Sequence, residues 1–227
     1  DQYFKNDLGL DGLLVTEMGV MHRYGHLGYE MIGDYSLNLY NGKMAAFYGK
    51  MGMSRGTVSI ESTLENTKEM LNSSQVPLEI IVHGRPAVMY IEHDLYENTK
   101  AYEGIEIDEN IRKKDILYLL DEKGFEHPVY KDIKGRNHLL LSKALCYLTI
   151  LPELHAAGAK VFRIEGLDYE MSELRALVKL YKKALLQMSA RDEAHQETFS
   201  FDVEKCMERL IEINGEEQYT LGSLHFN

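Results

Sequence analysis

Cysteine is scarce in this sequence: two in 227 residues, Cys146 and Cys206. Neither belongs to a C-x-x-C pair. That argues against a disulfide framework and against a structural zinc site built on thiolates. Reduced thiols in the cytoplasm are the default expectation. Long apolar runs are missing too, so no membrane span is expected. No signal peptide is visible and residue 1 is Asp rather than Met; the chain is expected to be a piece cut from something longer. There is no G-x-G-x-x-G and no G-x-x-x-x-G-K loop, which speaks against nucleotide binding. Positive charge is in deficit. With 25 Lys and Arg against 36 Asp and Glu, the net charge is −11. That disfavours a broad electrostatic grip on nucleic acid, which needs clustered cations. The local basic patches at Lys113-Lys114, Lys131 to Arg136 and Lys179 to Lys183 read first as solvated faces.

What is present is apolar and aromatic. A hydrophobic content of 44% with 15 Tyr describes a packed globular chain. Asp11 to Thr16 reads as a strand and Gly19 to Gly28 as a short helix. Tyr29 to Asp34 leads into Tyr35 to Leu39 as a second strand, closed by Asn41-Gly42. Lys43 to Gly52 is helical in composition, and Thr57 to Ile60 is a third strand. A helix to Leu71 starts at Ser62, with Glu65 three residues on as a capping box. Leu78 to Val82 is a fourth strand. Asp115 to Leu120, Phe125 to Asp132 and Asn137 to Leu141, split by Gly124 and Gly135, read as an antiparallel hairpin insert. Ser142 to Ala157 reads as a helix stopped by Gly158, and Ala159 to Glu165 as a fifth parallel strand. Met171 to Met188 is an amphipathic helix, Ser189 to Thr198 a polar linker or loop, and Val203 to Ile213 a last helix.

Strands alternating with helices imply an α/β fold with a parallel sheet. A (β/α) barrel and a doubly wound sheet both fit. A barrel needs about eight strands. With five counted, the chain would be a partial TIM-type barrel, its C-terminal part, carrying a small antiparallel hairpin insert. Residues 1–188 are then the barrel portion, with the insert at about 115–141, and 189–227 a C-terminal helix and tail packed on it.

The candidate chemistry follows from alternation along strands. On the fourth strand Glu79, Ile81 and His83 are expected to share a face, with His83 at the C-terminal mouth where barrel active sites lie. A mid-strand carboxylate is costly unless paired. Glu79 therefore reads either as a residue exposed at an edge or bonded to an arginine, or as part of a site. On the fifth strand Arg163 and Glu165 share a face, either to bind a polar substrate or as a buried ion pair. Ser36 and Asn38 are expected to face together, Asn38 serving as a substrate contact or as a turn residue. Glu92-His93-Asp94 is contiguous, so its side chains diverge and make a poor metal site, though Glu92 could cooperate with Asp94. His22 and His26 stand i, i+4, without a third ligand nearby, and no metal site is assigned. Cys146 and Cys206 read as inert core thiols in helices.

Four stretches together resemble the collagenase-like peptidase family U32, of unassigned catalytic type. They are Gly33 to Asn41, Glu79 to Gly84 with Pro86 and Met89, Leu120 to Phe125 with Pro128-Val129, and Gly158 to Gly166 followed by Tyr181 to Leu185. The resemblance covers residues 10 to 225 and implies a (β/α) barrel whose early strands precede Asp1. It implies a peptidase; the strand reading above then puts Glu79, His83 and Glu165 forward as its catalytic residues and Asn38, Arg163 and Glu92 as contacts to a peptide substrate. Other members hydroxylate RNA bases or quinones and hold an iron–sulfur cluster on cysteines. The comparable positions here hold Ala87 or Asp94, and Asn137 and His138. Two cysteines cannot supply four thiolates, so no cofactor is expected. Leu167 replaces the Arg usual after Glu165-Gly166. The alternatives to a peptidase are a cluster-free relative of the tRNA, rRNA or quinone hydroxylation proteins, with RNA as substrate, or a non-catalytic subunit or scaffold. The missing N-terminal barrel segment or a partner subunit is an expected partner.

Overall fold

The computed structural model describes residues 9–97, 117–194, 202–215 and 218–225. Strands and helices alternate from the start: β1 (Gly12–Val15), α1 (Met18–Tyr24), β2 (Glu30–Gly33), α2 (Gly42–Lys50), β3 (Met53–Thr57), α3 (Leu64–Ser73) and β4 (Leu78–Gly84). The helix starts are set by side chains. Asn41 Oδ1 accepts from the Met44 amide at 3.1 Å to open α2. Thr63, not Ser62, caps α3, its hydroxyl accepting from the Asn66 amide at 3.2 Å. Ser62 is fully buried and its oxygen accepts from the Thr67 hydroxyl instead.

The second strand ends earlier than expected. Tyr35–Leu37 forms a 3-10 turn rather than strand, closed by amide bonds from Leu37 to the Asp34 carbonyl and from Asn38 to the Tyr35 carbonyl. Asn38 takes the left-handed conformation at φ 59°, which breaks the extended run. The chain returns to the sheet at Leu39, bridged to Val58. β3 likewise begins four residues before its expected start at Thr57.

The insert is a four-stranded antiparallel sheet of β5 (Ala87–Ile91), β6 (Leu117–Leu120), β7 (Glu126–Lys131) and β8 (Asn137–Leu140), ordered β5-β8-β7-β6. Its hairpins turn at Gly124 and Gly135, both at φ 81°. Asp121 and Asp132 each accept two backbone amides inside those turns. The expected hairpins are thus present, with β5 added. The expected start at Asp115 and the Lys113-Lys114 patch lie outside the described residues.

Ser142 to Ala157 is not one helix. It divides into β9 (Ala144–Cys146), antiparallel to β4, and α4 (Leu151–Ala156), opened by Pro152 in its first turn. Ala144 to Leu148 is buried throughout, so no helical period distinguishes it from a strand. Cys146 therefore stands on a strand. Next come β10 (Val161–Glu165), α5 (Met171–Ala194), α6 (Val203–Asn214) and β11 (Tyr219–Thr220), the last parallel to β9. α5 continues through the expected linker as far as Ala194, and 195–198 lie outside the described residues.

The result is an α/β fold. β1, β2, β3, β4 and β10 are parallel neighbours in that order, and β9 and β11 complete a seven-stranded sheet. Among the described residues this sheet does not close into a barrel. Leu39, Val82, Leu148, Leu154, Leu177 and Leu210 are fully buried in the core between sheet and helices. No described helix is long and apolar enough to cross a membrane.

One irregularity controls the site. Arg163 pairs with Ile81, but Ile164 pairs with His83, leaving Val82 as an extra residue in β4. The bulged Val82 carbonyl accepts from the Tyr147 amide at 2.9 Å and the Tyr181 hydroxyl at 3.0 Å.

Candidate active site

Charged side chains gather on one face of the parallel sheet. Asp34 is the first residue beyond β2, Arg55 and Thr57 belong to β3, Glu79 to β4, and Arg163 and Glu165 to β10. Arg163 is the hub. One of its terminal nitrogens donates to Asp34 Oδ1 at 2.6 Å and lies 3.8 Å from Glu79 Oε1; the other is 2.5 Å from Glu165 Oε1. Glu79 also accepts from the Thr57 hydroxyl at 3.0 Å and sits 3.4 Å from Arg55 Nε. The Arg163 guanidinium lies over the Tyr35 ring, 5.7 Å from its centroid. Asp34 and Glu79 are buried, whereas the Arg163 and Glu165 side chains are 21% and 20% exposed, so the cluster opens to solvent at those two residues.

The electrostatics divide the roles. Burial raises the Glu165 carboxyl above its ordinary value, and the negative charges of Asp34 and Glu79 push it the same way against the pull of Arg163. Burial works against the Arg163 charge, but Glu165, Asp34 and Glu79 outweigh it and hold the guanidinium protonated. The pair thus combines a carboxylate with raised proton affinity and a permanent cation, both reachable from solvent. That is what proton transfer beside a developing negative charge requires.

His83 is not on this face. The register places Arg163 and Glu165 level with Ile81 and Gly84, and places Phe162 and Ile164 level with Ile80 and His83. The extra Val82 turns His83 to the side opposite Glu79, so strict alternation fails between them. His83 is fully buried there, its Nδ1 3.1 Å from the Tyr181 hydroxyl and its Nε2 3.2 Å from the Tyr169 hydroxyl. Tyr181 donates to the Val82 carbonyl, which leaves Nδ1–H of His83 to donate to Tyr181 and Nε2 to accept from Tyr169. Burial raises Tyr181 well above an ordinary phenol, so it stays a protonated donor.

The ends of β4 and β10 are held together. Arg85 Nε pairs with Asp168 at 2.8 Å, and Gly84 lies directly against the Glu165 backbone. A Cβ on Gly84 would come within 1.9 Å of the Glu165 carbonyl oxygen, and its φ is 100°. Only glycine allows this approach.

The remaining candidates stand elsewhere. Asn38 is exposed and follows the turn that holds Asp34; its Oδ1 accepts from the Ser59 hydroxyl at 2.9 Å. Ser36 lies on the 3-10 turn, so strand alternation does not pair it with Asn38. Glu92 is exposed at the end of β5, near Arg136 in the second sheet. Asp94 binds Lys131 at 2.6 Å, which lowers the Asp94 carboxyl. His22 and His26 are exposed, and no group of three or more His, Cys, Asp and Glu among the described residues is placed to hold a metal ion. Sequence reasoning missed Asp34 and Arg55. Ending β2 at Gly33 would have placed Asp34 at a strand's C-terminal edge.

The chain's residues do not fit a four-thiolate iron–sulfur cluster. Both thiols are buried: Cys146 is 3.8 Å from the Tyr181 hydroxyl, and Cys206 lies on α6 with its thiol raised by burial and by Asp202.

The family model of peptidase family U32 matches residues 2–223. The tRNA hydroxylation protein P2 of Bacillus subtilis (strain 168) is 28% identical over 150 residues, covering 65% of this chain and 48% of the relative. An uncharacterized protease of Methanocaldococcus jannaschii is 27% identical over 194 residues, covering 80% of this chain and 45% of the relative. The chain spans about half the length of the curated relatives it matches. No solved structure matches it significantly.

Proposed function

Because the chain belongs to peptidase family U32, we propose that it forms part of a (β/α) barrel enzyme that hydrolyses a peptide over the Asp34–Arg163–Glu165 cluster. The observation that carries this reading is the geometry of the cluster: the Glu165 carboxyl lies 2.5 Å from an Arg163 guanidinium that is partly exposed and is held from the other side by the buried Asp34. In the proposal, ionised Glu165 takes a proton from water as its oxygen bonds to the peptide carbonyl carbon. Arg163 stabilises the negative charge developing on the carbonyl oxygen. The C–N bond then breaks, and Glu165 returns the proton to the leaving nitrogen. Asp34 and Glu79 position Arg163 and take no part in bond making. His83 is assigned a positioning role through the Val82 bulge and Tyr169. Asn38, on the exposed loop after β2, is assigned to the substrate; Glu92 is not.

A second reading places RNA in the same site. The alignment with a relative named tRNA hydroxylation protein P2 favours it. The test uses the full chain. Glu165→Gln is compared with the parent on a library of fluorogenic peptides, and tRNA incubated with each is analysed by mass spectrometry. The proposal expects peptide cleavage to fall by about 10²–10⁴-fold in the variant. Unchanged cleavage refutes it, and a change in tRNA modification alone transfers the site to the second reading.

A further inference from the structure

We propose that the cleft between the insert sheet and the start of α5 is a specificity pocket for a cationic group, the lysine or arginine side chain of a peptide lying over the Asp34–Arg163–Glu165 cluster. The choice of a peptide rests on the acid–base reading above; the choice of positive charge rests on the cleft alone.

The cleft has a volume of about 620 Å³, within the range of small-ligand sites. Its insert wall is set by strand register. Glu126 and Pro128 share one face of β7, and Pro128 pairs with Tyr118 of β6. Glu126 is thus a diagonal neighbour of Tyr118, and both line the cleft together with Phe125. A second wall is the segment after β10, where Asp168, Tyr169 and Glu173 follow closely on Glu165. Arg85 lines the cleft too, directly after the Gly84 that packs against the Glu165 backbone. The pocket therefore adjoins the charged cluster at the ends of β4 and β10.

Three features of the lining select positive charge. The first is the proton of Tyr169. Its hydroxyl donates to His83 Nε2 at 3.2 Å, because Nδ1–H of the same ring is committed to Tyr181. Toward the cleft the Tyr169 oxygen can therefore only accept. The second is how the charges are committed. Arg85 is neutralised by Asp168 at 2.8 Å and also donates to the Leu141 and Ser142 carbonyls. Lys143 lies over the Phe125 ring, 4.8 Å from its centroid. Glu126 is exposed and pairs with no cation among the described residues. Glu173 uses one oxygen on the Glu170 amide at 2.8 Å, so the lining sets three carboxylates against two cations. The third is the rings. Tyr118 is 58% exposed, and an aromatic ring beside a carboxylate favours an ammonium or guanidinium over a neutral group. An apolar ligand would bury these carboxylates without a partner, and an anion would meet both them and the Tyr169 lone pairs. A free polyamine carries the same charge chemistry; the adjoining cluster favours a side chain on a peptide.

The test is fluorescence anisotropy, at fixed salt, of the full chain carrying Glu165→Gln, which under the acid–base reading leaves the probe uncut. The probes are labelled, end-capped glycine–alanine peptides with a single central arginine or citrulline. Citrulline keeps the shape of arginine and removes its charge. The arginine probe is expected to bind about fivefold or more tightly than the citrulline probe, from one ion pair and one cation–π contact at a partly exposed site. The net charge of −11 attracts any cation, so the ratio must also respond to the pocket itself. Glu126→Gln and Tyr118→Leu should each move it towards one. Both side chains are exposed, and circular dichroism of each variant checks that the fold persists. No binding of the arginine probe, equal binding of the two probes, or a ratio unmoved by both substitutions overturns the proposal. Spermidine binding more tightly than the arginine probe would assign the cleft to a free polyamine and also overturns it. Cleavage of the same probes by the parent chain is read separately, so failure of the acid–base reading is told apart from failure of the pocket.

Discussion

Glu79 and His83, four residues apart on β4, face opposite sides of the sheet because Val82 is extruded between them. The charged cluster and the histidine network are thereby separated into two layers that share one strand. Glu79 turns to Arg55, Thr57 and Arg163, while His83 turns to Tyr169 and Tyr181. The expectations below follow from that separation.

Gly84→Ala should lower stability by at least about 2 kcal/mol, combining the cost of a side chain at positive φ with a steric overlap in a packed site. The added Cβ would meet the Glu165 carbonyl oxygen, so β4 and β10 must part at the mouth of the charged cluster. Urea denaturation of the full chain measures the loss. A change under about 0.5 kcal/mol, as at ordinary surface sites, would show that the close approach is not maintained in solution.

Arg163→Met leaves Asp34, Glu79 and Glu165 without their common cation. Removing one partner of a mostly buried charged set should cost about 2–4 kcal/mol at pH 7. The deficit should shrink on acidification, because protonation removes the repulsion among the three carboxylates. Equal deficits at pH 7 and pH 5 would mean that the carboxylates do not sense one another.

Tyr181→Phe removes the donor to the Val82 carbonyl and the acceptor for His83 Nδ1. A cost of about 1–3 kcal/mol is expected for leaving buried polar atoms unmatched. Hydrogen exchange should also quicken at β4 and β9, since the bulge loses one of its two supports. Wild-type exchange rates in both strands would argue that the Tyr147 amide alone holds the bulge.

Much of the scaffold was legible. Gly124 and Gly135 marked the hairpin turns because each turn requires a left-handed residue, and Gly158 marked the end of a helix for the same reason. The Arg163–Glu165 pairing followed from alternation, which holds along β10. Alternation failed along β4, where one extra residue reverses everything after it, and no feature of Ile81-Val82-His83 announces a bulge. Ala144 to Leu148 failed differently, because a segment buried on all sides carries no period. Asp34 was hidden by reading β2 through the 3-10 turn that follows it. Arg55 was hidden because β3 starts four residues ahead of its expected position.

Glu165 also ties stability to pH. Its folded value is raised, so its contribution is fully present below the unfolded value near 4.5 and is lost as pH rises through the folded value. Glu165→Gln should flatten the stability profile of the full chain across that interval. A profile unchanged by the substitution would assign the pH dependence to other groups.

The most direct test of an acid–base role is the titration of Glu165 itself. Carbon-13 NMR of glutamate-labelled protein, with the Glu165 carboxyl resonance identified by its loss in Glu165→Gln, reads the protonation of that one group. The expected midpoint lies above 4.5, as burial beside Asp34 and Glu79 requires. A midpoint at or below 4.5 would mean that Arg163 dominates the site and that Glu165 is a plain ion-pair partner, contradicting its assignment as the proton carrier.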